Sequence, residues 1–191
     1  MLKQIPYGIS SFKDLRDENM YYIDKTKYIE NLEIKPRYQF FIRPRRFGKS
    51  LFLTMLETYY DIYEKDNFQK YFGDLYIGKN PTPNANKYLI LPISFADVIS
   101  DQGKDKLIES FDEIVCREID KCIQKYSKIL KRKELPDDKT SAIYALGFLR
   151  GIAQAVNAKV LILIDEYDNF ANNIMTNNKD LYYALTHQDG Y

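Results

Sequence analysis

Gly48-Lys49-Ser50 sits between an aromatic and β-branched run, Tyr38-Gln39-Phe40-Phe41-Ile42, and a stretch whose apolar residues recur at three and four. A strand, a Gly-Lys-Ser turn and an immediate helix is an arrangement that holds nucleotide phosphates. Backbone N–H groups and the positive helix N-terminus face the anion, the lysine ammonium reaches the outer phosphates, and the hydroxyl ligates magnesium. The full pattern has another glycine five residues before Gly48, and Arg43 stands there, in Arg43-Pro44-Arg45-Arg46-Phe47-Gly48-Lys49-Ser50. The proline and arginines cost backbone freedom, but Arg43, Arg45 and Arg46 add fork-shaped donors suited to phosphate oxygens. Taken alone, the tripeptide is equally compatible with a plain helix start. A second signal shifts that balance: Lys159-Val160-Leu161-Ile162-Leu163-Ile164 is a continuous apolar run ended by Asp165-Glu166. An aspartate at a strand's carboxyl end can hold Mg²⁺, and the adjacent glutamate can orient and deprotonate an attacking water. Two acids capping a strand as it emerges into solvent is the plainer alternative.

The elements that would position these groups follow from periodicity. Residues 38–42, bounded by Pro36 and Pro44, predict a strand. Leu51, Phe52, Met55, Leu56, Tyr59, Tyr60 and Tyr63 predict a helix from Ser50 that buries one broad face. Residues 72–86, rich in Gly, Pro and Asn, predict a long loop. Residues 88–95 predict a second strand, with Pro92 arguing for an edge or a bulge. Leu107, Phe111, Ile114, Val115, Ile119, Cys122, Tyr126, Ile129 and Leu130 mark one long amphipathic helix over 103–133, broken once. A further helix is expected from Ser141 to Asn157, and then a strand over 160–165 of the kind buried on both faces of a parallel sheet. Earlier, Phe12 and Leu15 suggest a short helical segment, and Asp24 is the expected N-cap of a helix reaching Glu33.

At 191 residues the chain is about 1.3 average domains long, enough for a sizeable core. Hydrophobic residues make up 45% and charged residues 29%, which excludes disordered, collagenous and disulfide-scaffold classes. The net charge of +1 supplies no global field for nucleic acid or anionic lipid, so any such contact must be local. The 17 Tyr and 11 Phe are expected to serve packing. Cys116 and Cys122, the two cysteines, match no zinc spacing, and with no long apolar run or signal-like leader the expected setting is reducing and cytoplasmic, with no membrane partner. The basic run Lys128, Lys131, Arg132 and Lys133 is expected to be solvated at a helix C-terminus, so nucleic acid enters only indirectly. His187 has no Cys or Ser partner nearby in sequence and defaults to the surface.

With Ile5-Pro6-Tyr7-Gly8, Phe12, Tyr22-Ile23-Asp24-Lys25-Thr26, the loop 41–51 and Leu163-Ile164-Asp165-Glu166-Tyr167-Asp168 in view, the chain closely resembles the AAA-ATPase-like family of bacterial P-loop proteins across essentially its whole length. In that family Arg-Pro-Arg-Arg-Phe-Gly-Lys-Ser is the usual form of the loop, so the resemblance makes the missing glycine a family trait. It implies an α/β, three-layer P-loop NTPase of the additional-strand type with a parallel central sheet. It also implies a C-terminal domain that often looks like a PD-(D/E)XK nuclease. Residues 1–191 supply no such nuclease; in Pro136-Asp137-Asp138-Lys139 the acid and lysine stand together without the strand spacing. Tyr167 and Asp168 match the family's run, with a polar exit from the strand preferred over catalysis, and Asp24-Lys25-Thr26 is read as a cap first and a nucleotide-proximal element second.

The expectation is an N-terminal entry segment over 1–35 and a P-loop domain over 36–191 that binds ATP and Mg²⁺. Lys49 and the Gly48 amide take the β/γ-phosphates, with Arg43, Arg45 and Arg46 as auxiliary donors; Ser50 and Asp165 hold Mg²⁺, and Glu166 is the water-positioning base. An ATPase of this type carries a later, intervening strand with a polar sensor, and only three strong strands are counted here. Residues 1–191 therefore read as lacking C-terminal strands, with hydrolysis belonging to a full-length context and a protein partner or missing half as the completing element. The alternative is a non-catalytic regulatory or interaction scaffold that keeps the fold.

Overall fold

The computed structural model describes residues 3–42, 44, 46–99, 102–136, 141–167 and 175. They belong to two compact units, Met1–Ile90 and Leu91–Tyr191.

In the first unit, α1 (Phe12–Asp17) starts at Ser11, whose hydroxyl accepts from the Asp14 amide at 3.2 Å, and buries Phe12 and Leu15. The short α2 (Tyr28–Glu33) buries Ile29. The expected cap of α2 is corrected: its N-cap is Lys27, with no side-chain bond, and Asp24 turns elsewhere. Helix α3 (Lys49–Tyr60) buries Phe52, Met55, Leu56, Tyr59 and Tyr60, the face its period demands, and packs on α1. It ends where Asp61 becomes extended and its carboxylate accepts from the Tyr63 amide at 2.9 Å, capping a 3-10 helix, Ile62–Asn67. The stretch expected as a loop from residue 72 contains α5 (Tyr76–Lys79), just after α4 (Phe68–Phe72). Gly78 is needed for this close packing rather than for flexibility, because a Cβ there would lie 1.8 Å from the Phe72 carbonyl oxygen. Part of the aromatic surplus becomes core: Phe12 stacks on Phe72 at 5.1 Å, and Tyr59 meets Tyr60, Phe68 and Phe72 at 5.0, 6.0 and 5.5 Å.

The strand expected at 38–42 is not formed. Tyr38, Phe40 and Ile42 are more than 80% exposed and Gln39 is exposed with them, while Phe41 turns inward to stack on Phe52 at 4.9 Å. An aromatic and β-branched run favours extended backbone, but a strand also needs a neighbouring one, and among the described residues none forms a ladder with this segment.

Strand β1 (Tyr88–Ser94) runs out of the first unit into the second, where β2 (Lys159–Asp165) lies parallel to it in a two-stranded sheet. Pro92, which has no amide to donate, is exposed on β1. Helix α6 (Lys104–Lys125) buries Leu107, Ile114, Val115, Ile119, Cys122 and Ile123; a break at Tyr126 separates it from α7 (Ser127–Leu130). Helix α8 (Ala142–Ala155) starts at Ser141, whose hydroxyl accepts from the Tyr144 amide at 3.3 Å, and packs on both α6 and β2. The carboxylates of Asp112 and Asp120 accept from the Ala142 and Leu135 amides, each at 2.8 Å, tying the following segments to α6. One expectation fails here: β2 is not buried on both faces, since Ile162 and Ile164 are 45% and 41% exposed. Among the described residues β2 has one neighbour rather than two, and the fold is a mixed α/β arrangement with a small parallel sheet of two strands. Among those residues, no helix is long and apolar enough to cross a membrane. Both cysteines are buried and neither is in a disulfide.

Candidate functional site

The phosphate loop belongs to the first unit and is shaped by its backbone. The Phe47 amide donates to the Pro44 carbonyl at 3.4 Å, Arg46 has φ 65°, and Gly48 has φ 75° as the N-cap of α3. Gly48 suits that left-handed position, which would strain a Cβ-bearing residue. The Phe52 amide donates to the Gly48 carbonyl at 3.0 Å, so Lys49, Ser50 and Leu51 form the first turn of the helix. No side chain of the N-cap closes that turn, and it contains no acid. Such alternating turn geometry followed by a helix N-terminus is a concave donor surface for an anion. Arg46 and Phe47 are exposed; Lys49 and Ser50 are half-buried on the helix's first turn. Arg43 and Arg45 lie outside the described residues.

The acidic pair belongs to the second unit. The Phe95 amide donates to the Asp165 carbonyl at 3.2 Å, fixing the carboxyl end of β2 beside that of β1. The chain then bends sharply: Glu166 has φ 55°, and its amide donates to Asp165 Oδ1 at 2.9 Å. Asp165, Glu166 and Tyr167 are all half-buried. Asp168 and His187 lie outside the described residues, as do residues 137–140.

The Asp24-Lys25-Thr26 run acts at a distance that sequence does not reveal. Asp24 accepts from the Thr26 amide and hydroxyl at 2.8 and 2.6 Å, and from the Tyr76 amide at 2.7 Å; Thr26 Oγ1 accepts from the Ile77 amide at 3.2 Å. The two side chains therefore cap α5, fifty residues downstream. Partial burial would raise the Asp24 pKa, but the bonds from Thr26 and Tyr76 outweigh it and hold the carboxyl below its ordinary 3.8. The neighbouring Tyr22 hydroxyl is pushed up to about 12 by burial first and by Asp24 second. Thr54 on α3 was not anticipated: its hydroxyl accepts from the Phe12 amide at 3.0 Å and lies 2.7 Å from the Ser10 carbonyl. The available signal was faint, a threonine four residues after Ser50 and four before Thr58 on the same helix.

The chain is thus a mixed α/β protein in which a helix follows a turn with two left-handed residues and an acidic pair ends a parallel strand. The model of one family, described as "Predicted AAA-ATPase", matches residues 6–188, and the chain belongs to that AAA-ATPase-like family. A curated protein from Azotobacter chroococcum mcd 1, "Uncharacterized protein in vnfD 5'region", is 46% identical over 55 residues, which are 28% of this chain and 11% of that protein. The match thus spans well under two thirds of that relative. No solved structure matches the chain.

Proposed function

We propose that the chain binds ATP with Mg²⁺ through the loop at Gly48-Lys49-Ser50, and that the bound nucleotide is hydrolysed. The observation carrying this is the first turn of α3: Gly48 in the left-handed conformation, no side-chain cap, no acid, and a lysine and a serine at its first two positions. Those residues fit a polyphosphate. The loop amides and the Lys49 ammonium would neutralise the β/γ-phosphates, with Arg46 as an exposed guanidinium nearby in sequence and Arg43 and Arg45 as further donors. Ser50 and Asp165, each in its own unit, are the candidate ligands for Mg²⁺, which when bound would supply positive charge to the phosphoryl oxygens. Glu166 would hold the attacking water and accept its proton.

The test is Mg²⁺-dependent titration with a fluorescent ATP analogue, followed by phosphate release. Lys49→Ala should lose binding, while Glu166→Gln should keep binding and lose turnover. Absence of any nucleotide affinity in the wild type would refute the proposal and leave a scaffold that keeps the family's fold without its chemistry.

A further inference from the structure

The loop's geometry depends on what holds α3, and the holding group is one hydroxyl. Ser50, Thr54 and Thr58 recur every four residues and share one face of α3. A threonine hydroxyl has one proton to give and lone pairs to receive. In Thr54 it receives from the Phe12 amide at 3.0 Å, and two carbonyls compete for its proton, Ser10 at 2.7 Å and Leu51 at 3.2 Å. The shorter contact wins, so the hydroxyl is committed on both sides to the backbone of residues 10–12, one turn from Ser50. That backbone is itself fixed. Phe12 is fully buried, stacked on Phe72 and edge-on to Tyr22, and the Tyr21 amide donates to the Gln4 carbonyl at 2.8 Å. On the other side of the loop, the Phe41–Phe52 stack ties the incoming chain to the same helix. Neither a roll nor a slide of α3 is available without breaking the Thr54 bonds, and either motion would carry Lys49 and Ser50 with it.

Resting on the proposal that Lys49 and Ser50 bind nucleotide, we infer that Thr54 is a positioning residue, whose hydroxyl locks the 10–12 backbone to α3 and so sets the phosphate loop for its ligand. Thr54→Val keeps the shape and removes both bonds; Thr54→Ser keeps them. Thr58→Val is the control, because its buried hydroxyl donates to the Thr54 carbonyl within the same helix at 2.8 Å. Hydrogen exchange of the amides of 48–51 in the nucleotide-free protein should run about tenfold faster in Thr54→Val and stay near wild type in the other two. Affinity for the fluorescent ATP analogue with Mg²⁺ should fall about tenfold in Thr54→Val and be restored in Thr54→Ser. If Thr54→Val does not fold, Thr54→Ala goes through the same two assays. Unchanged exchange in the variant that lacks the hydroxyl, or an equal rise in Thr58→Val, overturns the inference, as does equal affinity in wild type and Thr54→Val. A wild type that binds no nucleotide overturns the underlying proposal instead, and that result is distinguished by the wild-type titration alone.

Discussion

Asp24→Ala should destabilise the first unit while leaving nucleotide affinity intact. The carboxylate receives three hydrogen bonds, at 2.8, 2.6 and 2.7 Å. Each would contribute about 1 kcal/mol net, somewhat more for a charged acceptor. The Tyr76 amide is in an exposed setting and can turn to water, which removes most of its share. Thr26 is fully buried, so its hydroxyl proton loses its acceptor while the oxygen still receives from Ile77. Summing a buried hydroxyl bond and a lost cap gives about 2 kcal/mol, the upper end for cap removal. In a chain of this size that is about 4–8 °C in melting temperature, read by circular dichroism or calorimetry. Asp24→Asn keeps one acceptor oxygen and should lose roughly half as much. An unchanged melt would refute the capping account. A loss of affinity for the ATP analogue in a variant that is still folded at the assay temperature would instead make Asp24 part of the nucleotide site.

Gly48→Ala should weaken Mg²⁺-dependent nucleotide binding and cost about 1 kcal/mol of stability, because its φ of 75° penalises a Cβ; equal binding and melting would contradict it. Glu166→Gly should melt above Glu166→Ala by about 1 kcal/mol equivalent, since both lack the carboxylate but glycine accepts φ 55° without strain, and identical melts would deny that strain. Alkaline titration should unfold the first unit through its tyrosines. Tyr22 is raised from 10.0 to about 12 by burial, so it contributes stability that is complete below pH 10 and is lost as pH rises through 12, with Tyr59 and Tyr60 shifted the same way by burial. Phenolate absorbance that appears well before the circular-dichroism transition would contradict this. Leu149→Ala, at a side chain 2% exposed on α8, should cost about 2–5 kcal/mol, measured by urea unfolding.

What the sequence made legible was contiguous. The periods of α3, α6 and α8 are local properties that no distant contact overrode. The failures all involve a second partner. Residues 38–42 carry a strand's aromatic and β-branched composition, but composition is silent about whether another backbone lies alongside. The β2 run looks doubly buried by composition, yet its exposure depends on how many neighbours the sheet supplies. Asp24 was assigned to the helix that begins nearest in sequence, whereas its third bond reaches across 52 positions to Tyr76. Gly78 belongs to the same class: its composition suggests a loop, while its reason is the Phe72 carbonyl pressed against it.

The distribution of backbone strain gives an independent line toward the same residues. Among the described residues, six other than glycine have positive φ: Asn19, Arg46, Asn86, Lys131, Asn157 and Glu166. Asparagine takes the left-handed region at low cost through its own side-chain hydrogen bonding. Lys131 is the exposed residue that ends α7, a place where that conformation closes a helix. Arg46 and Glu166 have neither excuse, since both carry long side chains with no local bonding preference for that region. Each strained backbone unit of this kind costs about 1–2 kcal/mol and persists only where the surroundings over-determine it. One lies two residues before Gly48, and the other directly follows Asp165. Two of the three left-handed residues that are neither glycine nor asparagine among the described residues therefore fall in the two motifs proposed to hold the phosphates and activate water, although motif and dihedral angle are separate observations.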